Sequence, residues 1–213
     1  MVDPADLRRE YADAGLHESD APAEPFALFD RWFADATDAG LYEPNAMVVA
    51  SVSADGRPSS RMVLLKGVSP DGWTFFTNLE SRKGAELLAN PACALLFPWH
   101  PLERQVRVEG TATQLERPAV DAYFARRPRG SQLGAWASPQ SQPVEGRGAL
   151  DERYDEVTAR FAAEETVPAP PHWGGFLVTP EIVEFWQGRP GRMHDRLVYT
   201  RGADGWSIGR LAP

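Results

Sequence analysis

Two lysines are the first candidates for binding an anion. Lys66 and Lys83 are the only lysines among the 22 lysine and arginine residues. Lys66 closes a strand-like run that begins at Arg61, and Lys83 follows Ser81 and Arg82 at the start of a helix-like segment. Free backbone N–H groups in the first turn of a helix favour an anion. The pattern predicts phosphate binding at Arg82 and Lys83, and the alternative is a pair of solvated surface lysines.

The strand-like run places its two cations on opposite faces. Arg61 and Lys66 are five residues apart, and side chains alternate along a strand, so the two lie roughly 17 Å apart at ~3.3 Å per residue. They are therefore not expected to bind one phosphate together. Either one of them is structural, or the protein holds two separate phosphorylated ligands.

A second basic cluster lies between Tyr123 and Ser131. Within nine residues it combines two hydroxyl groups with the guanidinium groups of Arg126, Arg127 and Arg129. Guanidinium groups bind phosphate in a bidentate manner, and a neighbouring hydroxyl adds a neutral donor. The alternative is a solvated helix end at which cations oppose the helix dipole.

A third cluster surrounds His194. It follows a Gly and Pro loop and includes Arg189, Arg192 and Arg196. A histidine among charged residues can orient or polarise a substrate at neutral pH, although a lone histidine is more often structural. Both interpretations remain open at this point.

Composition limits the class of protein. The chain has 213 residues, 43% hydrophobic residues and a net charge of -8, which together predict one ordinary domain. An acidic chain of this kind is not expected to bind duplex DNA or an anionic membrane surface. The polar N-terminus and the single Cys93 predict a cytoplasmic protein without disulfides, and four scattered histidines predict no metal site.

Hydrophobic periodicity predicts a mainly β protein with flanking helices, of the α+β class. An amphipathic helix begins at Pro25 and ends at Gly40, and residues 1–22 before it are expected to form a mobile N-terminal arm. Residues 23–213 are expected to form a single domain. Strands are predicted at 46–54, 61–66, 73–77, 92–99, 105–115, 175–178, 182–187, 197–201 and 206–210, and further helices at 81–88, 118–126 and 148–164. Short strands joined mostly by hairpins favour a small antiparallel barrel.

The ordered segments resemble one enzyme family over nearly the whole chain. The segments are LRREY at 7–11, RMVLLK at 61–66, SRK at 81–83, LLFPWH at 95–100, RPRGSQ at 127–132, EFWQG at 184–188, HDR at 194–196 and RLAP at 210–213. In this order they resemble the pyridoxine/pyridoxamine 5′-phosphate oxidases. The resemblance implies an FMN-binding split β-barrel that works as a homodimer with two equivalent sites at the subunit interface.

The resemblance also implies the residues that bind each ligand. The implied FMN ligands are Arg61, Met62, Val63, Leu64, Leu65, Lys66, Phe76, Thr77, Arg82, Lys83, Gln105, Gln140, Ser141, Trp186 and Arg196. The implied substrate ligands are Arg8, Arg9, Glu10 and Tyr11 of the arm, Lys66, Tyr123, Arg127 and Ser131 around the phosphate, and Arg192, Met193 and His194 at the ring. Arg192 and His194 are the implied catalytic residues, in a positioning and electrostatic role.

The implied reaction is oxidation of pyridoxine or pyridoxamine 5′-phosphate by dioxygen to pyridoxal 5′-phosphate and hydrogen peroxide, with ammonia released from the amine. FMN carries the electrons and the protein orients the substrate. Two alternatives remain: a split-barrel reductase that uses FMN or a deazaflavin, and a carrier of flavin or vitamin B6 phosphate that does not catalyse turnover. The reductase does not need the second phosphate site, whereas the carrier would keep the ligand residues and show no turnover with oxygen.

Overall fold

The first helix packs an aromatic face onto the core. The structure is a computed structural model, and it describes Tyr11 and residues 15–213. Helix α1 (Pro25–Asp38) has Pro25 in its first turn, buries Phe26, Phe29 and Trp32 at three-residue spacing, and is followed by Gly40 at φ 68°. Proline suits the first turn and a glycine with positive φ suits the end of a helix, so the predicted helix is confirmed.

In the part of the chain that the structure describes, nine antiparallel strands form a curled half-barrel with five flanking helices. The sheet order is β2-β1-β5-β6-β7-β4-β3, with β8 paired to β7 and β9 paired to β8. The predicted class, mainly β with flanking helices, is confirmed. The strands are β1 (Ala46–Val52), β2 (Pro58–Leu64), β3 (Gly67–Ser69), β4 (Gly72–Asn78), β5 (Ala92–Trp99), β6 (Arg104–Gln114), β7 (Trp173–Gln187), β8 (Asp195–Gly202) and β9 (Gly205–Arg210).

Strand β7 is a single long strand where the sequence predicted two. The predicted break lies at Pro180, where the structure has a register shift: Glu109 pairs with Ile182 and Gly110 with Pro180. A bulge tolerates proline because the missing N–H is not needed by the ladder. The extra residue also reverses the alternation, so Phe176 before the bulge and Phe185 after it both face the core.

The other helices lie beside the sheet. They are α2 (Arg82–Ala89), α3 (Arg117–Ala125), α4 (Arg129–Ala137) and α5 (Arg147–Arg160). Helix α4 was not predicted, since Pro128 before it and the glycines Gly130 and Gly134 within it lower its intrinsic helix propensity. Tertiary packing stabilises it, because Leu133 joins a second cluster with Phe124 and Phe161. Within the described residues, no helix has the length and apolar character needed to cross a membrane.

The main core lies between α1 and the concave face of the sheet. Trp73, Phe75 and Phe97 are fully buried there. Leu16 is also buried in this core, at 4% exposure, and its backbone N–H donates to the carboxylate of Asp195 at 3.0 Å. The described part of the segment before α1 therefore packs against the domain, while the division at residue 22 remains a prediction.

Candidate active site

A cavity of about 590 Å³ opens beside the ends of β2 and β4. It brings together both lysines with Tyr123, Arg126, Arg127 and Ser131 of the second basic cluster. Arg129 of that cluster does not line the cavity, and its Nη2 donates to the carbonyl oxygen of Phe161 at 2.6 Å. Among the described residues that line the cavity, four are cations and none is a carboxylate, in a protein with a net charge of -8. The lining residues are Met62, Val63, Leu64, Lys66, Phe76, Thr77, Lys83, Tyr123, Arg126, Arg127, Pro128, Ser131, Gln140 and Trp173.

Lys83 is held by neutral acceptors only. Its Nζ donates to Thr77 Oγ1 at 2.9 Å and to Gln140 Oε1 at 2.8 Å, and Ser81 Oγ lies at 3.4 Å. Among the described residues it forms no ion pair. Burial, and secondarily the nearby charge of Arg61, lowers the pKa of Lys83 to about 8. A partly desolvated ammonium without a carboxylate partner is a strong anion ligand.

Arg127 is held by aromatic faces. Its guanidinium lies 4.1 Å from the ring centroid of Trp173 and 5.3 Å from that of Phe124. Burial lowers the pKa of Arg127, while Tyr123 opposes the shift. Its Nη1 is buried without a hydrogen-bond partner. A buried donor that lacks an acceptor is costly, and an anionic ligand in the cavity would supply one.

Two aromatic side chains close one side of the cavity. Phe76 and Tyr123 stack with ring centroids 3.8 Å apart and an interplanar angle of 9°. Gly175 lies opposite Phe76 on β7, and a Cβ at this position would come within 2.7 Å of the Phe76 ring. A glycine is therefore required for this packing of Phe76.

The sequence-predicted cofactor ligands Arg61 and Arg82 meet at one buried carboxylate. Glu86 Oε1 accepts from Arg82 Nε at 2.8 Å, and Oε2 lies 3.3 Å from Arg61 Nη2. Ser81 caps α2 as predicted, since its Oγ accepts from the N–H of Gly84 at 3.3 Å. Arg61 thus points towards Glu86 while Lys66 lines the cavity. The predicted strand at 61–66 is corrected here, because β2 ends at Leu64 and Lys66 lies beyond it.

A second group of predicted ligands lies across β6, β7 and β8. Gln105 pairs with Trp186, and Trp186 pairs with Arg196, so the three side chains share one face of the sheet. Arg196 makes a bidentate ion pair with Glu184, with nitrogen to oxygen distances of 2.8 and 2.9 Å. This pairing raises the pKa of Arg196.

His194 belongs to this second group. Its ring lies 4.6 Å from Trp186 and 5.6 Å from Tyr11, measured between centroids. Its Nδ1 accepts the backbone N–H of Arg189 at 3.1 Å. Burial, and then the charge of Arg192, lowers the pKa of His194. The ring is therefore neutral at pH 7 and carries its proton on Nε2.

Three other predicted residues lie on loops. Met193 is 69% exposed, and Arg192 adopts a left-handed backbone conformation at φ 64°. Ser141, after the cavity residue Gln140, is also left-handed at φ 70°. Such conformations in residues other than glycine are strained and often mark ligand sites. Arg8, Arg9 and Glu10 lie outside the described residues.

The two groups are far apart within one chain. Phe76 is opposite Gly175 on β7, and Gln105 and Arg196 flank Trp186 on the same strand. Gly175 and Trp186 are separated by eleven residues, or about 36 Å of strand at ~3.3 Å per residue. A single chain therefore does not bring the two groups together around one small molecule.

Sequence reasoning missed two residues of the site. Glu86, which joins Arg61 and Arg82, could have been found from its i,i+4 spacing to Arg82. Trp173, which supports Arg127, lies far along the chain from its partner. No local pattern connects that pair.

The curled half-barrel and its cationic cavity define a split β-barrel with a site for anionic small molecules. A solved structure from Nostoc punctiforme, described as a pyridoxamine 5′-phosphate oxidase-related, FMN binding protein, has the same fold, with a TM-score of 0.71 at 18% identity over 91% of this chain and 100% of that chain.

The chain belongs to the pyridoxine/pyridoxamine 5′-phosphate oxidase family. Residues 33–161 match the family described as pyridoxamine 5′-phosphate oxidase, and residues 173–213 match its pyridoxine 5′-phosphate oxidase C-terminal dimerisation region. A pyridoxine/pyridoxamine 5′-phosphate oxidase of a Nocardioides species is 58% identical, covering 100% of this chain and 99% of the relative. One from Burkholderia vietnamiensis is 56% identical, covering 100% of both.

A second solved structure is also similar. PhzG from Burkholderia lata 383, in complex with tetrahydrophenazine-1-carboxylic acid, has a TM-score of 0.88 and 32% identity, covering 94% of this chain and 99% of that chain. The dimerisation region supports a homodimer. Family membership confirms the resemblance drawn from the motifs and supports FMN as the cofactor. The residues fit FMN, since the charge of Lys83 is left for an anion.

Proposed function

We propose that this protein oxidises pyridoxine 5′-phosphate or pyridoxamine 5′-phosphate with dioxygen, using FMN. The products are pyridoxal 5′-phosphate and hydrogen peroxide, with ammonia from the amine. The observation that carries the proposal is the cavity wall of four cations without a carboxylate, in which Arg127 Nη1 is buried and lacks a partner. A phosphate monoester carries nearly two negative charges at neutral pH and has several acceptor oxygens, which matches this wall.

The cavity residues bind the substrate phosphate in this proposal. Arg127 donates in the plane fixed by the Trp173 ring, Lys66 adds a mobile ammonium, and Tyr123 and Ser131 add hydroxyl donors. Charge-assisted hydrogen bonds from a planar guanidinium fix both position and orientation. The phosphate then acts as the anchor that holds the reacting carbon at a fixed place.

The cofactor is held by Lys83, Thr77 and Gln140, whose side chains already contact one another. When bound, FMN supplies the hydride acceptor and passes the electrons to dioxygen. The protein contributes orientation and exclusion of water at the reacting atoms.

His194 and Arg192 orient the substrate ring. The neutral imidazole presents Nε2–H as a donor, because Nδ1 is occupied by the N–H of Arg189. A donor at Nε2 can bind a ring substituent but cannot take its proton. This supports a positioning role for His194. Tyr11 contacts the rings of Trp186 and His194, which supports closure of the N-terminal arm over the substrate.

Each site is formed by two copies of the chain. The cavity residues of one copy and the group at Gln105, Trp186 and Arg196 of another would surround one flavin, since about 36 Å of strand separates them within a chain. The match of residues 173–213 to a dimerisation region supports this arrangement. A closed dimer has two equivalent sites.

Aerobic turnover tests the proposed reaction. Purified protein loaded with FMN is supplied with pyridoxine 5′-phosphate, and the aldehyde and hydrogen peroxide are followed together. Equal appearance of both is the expected result. Tight FMN binding without either product would favour a reductase or a carrier instead.

A second candidate substrate class is suggested by the similarity to PhzG, whose structure contains a tricyclic carboxylic acid. The same preparation is therefore supplied with a reduced phenazine carboxylic acid. We expect little turnover, because a single carboxylate leaves part of the four-cation wall without a counter-charge. Preferential oxidation of the carboxylic acid would replace the proposed substrate.

A further inference from the structure

Several side chains near the start of α2 bind to one buried carboxylate. Glu86 is 6% exposed and accepts hydrogen bonds from Ser51 Oγ at 2.6 Å and Ser59 Oγ at 2.5 Å. It also pairs with Arg61 and Arg82. Residues from β1, β2 and α2 therefore converge on its two oxygens.

The carboxylate remains charged at neutral pH. Burial alone raises the pKa of Glu86, but the hydrogen bonds from Ser51, Ser59, Arg82 and Arg61 outweigh it and lower the pKa to about 2. A carboxylate with several donors is a fixed acceptor. Its position is set by donors on β1, β2 and α2.

Glu86 restricts two arginines that differ in exposure. The side chain of Arg82 is 60% exposed and that of Arg61 is 21% exposed. A mostly exposed arginine has high rotamer entropy, which binding would have to overcome. The bond to Glu86 Oε1 restrains Arg82 before any ligand arrives.

The charges at the start of α2 match a phosphate monoester. Arg61, Arg82 and Lys83 are three cations, and Glu86 neutralises one charge, which leaves two. Arg61 lies close enough to Lys83 for its charge to lower the pKa of Lys83, and Arg82 shares the carboxylate of Glu86 with Arg61. A phosphate monoester carries about -1.5 to -2 at pH 7.

We propose that Glu86 is a positioning residue that orients Arg61 and Arg82 for the cofactor phosphate and thereby makes the site select FMN over riboflavin. This inference rests on the proposed FMN site. It concerns only the cofactor phosphate and is independent of which substrate is oxidised.

Flavin selectivity tests the inference. Dissociation constants for FMN and riboflavin are measured by flavin fluorescence in the wild type, Glu86→Ala and Glu86→Gln. For Glu86→Ala we expect FMN binding to weaken by about tenfold or more, as for loss of a charge-assisted hydrogen bond, and riboflavin binding to stay unchanged. Glu86→Gln keeps the shape and one acceptor oxygen, so its FMN affinity should lie between the two.

The matched control is Asp151→Ala. Asp151 forms the same type of i,i+4 pair with Arg147, at 2.9 Å, on α5 away from the cavity. It should leave both dissociation constants unchanged. Equal weakening of FMN and riboflavin by the Glu86 variants would show a merely structural role and overturn the inference.

Two further outcomes would also overturn it. Tighter FMN binding in Glu86→Ala would show that the carboxylate only competes with the phosphate, and unchanged binding would show that the arginines need no support. Failure of the wild type to bind FMN would reject the proposed cofactor site itself. FMN selectivity without turnover would reject only the proposed reaction.

Discussion

At the residue scale, individual side chains are prepared for an anion before it binds. Lys83 is partly desolvated among neutral acceptors, and Arg127 lies flat on Trp173 with one nitrogen lacking a partner. Both states are costly in the absence of a ligand. The cost is recovered when a phosphate supplies the missing acceptors.

Removal of Arg127 should weaken substrate binding while FMN binding is retained. We expect Arg127→Ala to raise KM for pyridoxine 5′-phosphate by roughly 10- to 100-fold, which corresponds to about 1.5–3 kcal/mol for a charge-assisted hydrogen bond. Arg127→Lys should recover little of this, because an ammonium lacks the planar fork that stacks on Trp173. Steady-state kinetics with a parallel FMN titration measure both effects.

Arg160→Ala is the matched control for this prediction. Arg160 also stacks on a tryptophan, 4.8 Å from the Trp136 centroid, but it does not line the cavity. The KM of Arg160→Ala for pyridoxine 5′-phosphate should equal that of the wild type. An equal loss in both variants would show that aromatic stacking of arginine only stabilises the fold.

The lowered pKa of Lys83 predicts a pH dependence of FMN binding. Below pH 8 the ammonium is already charged and affinity should be flat, and above pH 8 binding must take up a proton, so affinity should fall towards tenfold per pH unit. Fluorescence titrations from pH 7 to 9.5 measure this. Lys83→Arg should remove the decline, because arginine stays charged throughout.

The same lowered pKa also affects the stability of the protein without FMN. This stability should change with pH in the opposite direction to FMN affinity. The folded pKa of about 8 lies below the ordinary value of 10.5, so the unfolded chain binds more protons between these values. The contribution of Lys83 to the free energy of unfolding therefore rises with pH across this window. A decline of this contribution in denaturant titrations, relative to Lys83→Arg, would contradict the assignment.

At the element scale, the position of α2 determines where the cations that are proposed to bind the cofactor lie. Ser81 caps the helix, and Gly84 in its first turn packs directly on the chain that enters it. A Cβ at Gly84 would lie about 2.6 Å from the backbone carbonyl oxygen of Asn78 and still closer to that of Leu79. The backbone would have to move to admit any side chain.

Gly84→Ala should therefore shift the start of α2 and weaken FMN binding. We expect a loss of about 1–3 kcal/mol in the free energy of unfolding, as for overpacking of a tight site. Gly134→Ala in α4 is the control, because nothing lies within 4 Å of the added Cβ and alanine favours a helix. Thermal melts and FMN titrations compare the stability and the FMN affinity of the two variants. Equal stability and equal FMN affinity in both variants would contradict the steric argument.

At the scale of the whole molecule, the long strand β7 separates the two groups of ligands. Its first half pairs with β4 beside the cavity, and its second half pairs with β8 beside Trp186. The bulge near Pro180 keeps one face of the strand on the core along its length. In the proposed function, a symmetric pair of chains would combine these two groups into one site.

Mixed dimers should recover activity if each site uses two chains. Arg127→Ala alters the cavity half, and Arg192→Ala alters the other half at an exposed position. Assayed at a substrate concentration well below KM, each variant alone should lose most of its activity. A dimer of one copy of each, isolated with two different tags, should have one intact site and about half the wild-type activity. No recovery would place both residues in a site built from one chain.

The sequence by itself determined the family, the mainly β class and most element boundaries. Local signals fixed these: the three- and four-residue spacing of α1, the Ser81 cap and the Gly and Pro turns between strands. The separation of Arg61 from Lys66 was expected from a strand at 61–66, but β2 ends at Leu64 and Lys66 lies beyond it.

Only the tertiary structure decided what depends on contacts distant along the chain. Helix α4 forms because Leu133 packs with Phe161, although its glycines argue against a helix. The two predicted strands around Pro180 become one because β7 accommodates the extra residue, Glu181, as a bulge opposite β6. Trp173 meets Arg127, and Glu86 meets Arg61, through pairings of the folded sheet and its helices. Local sequence patterns do not predict such pairings, because the free energy of contacts between distant residues arises only when the chain is folded.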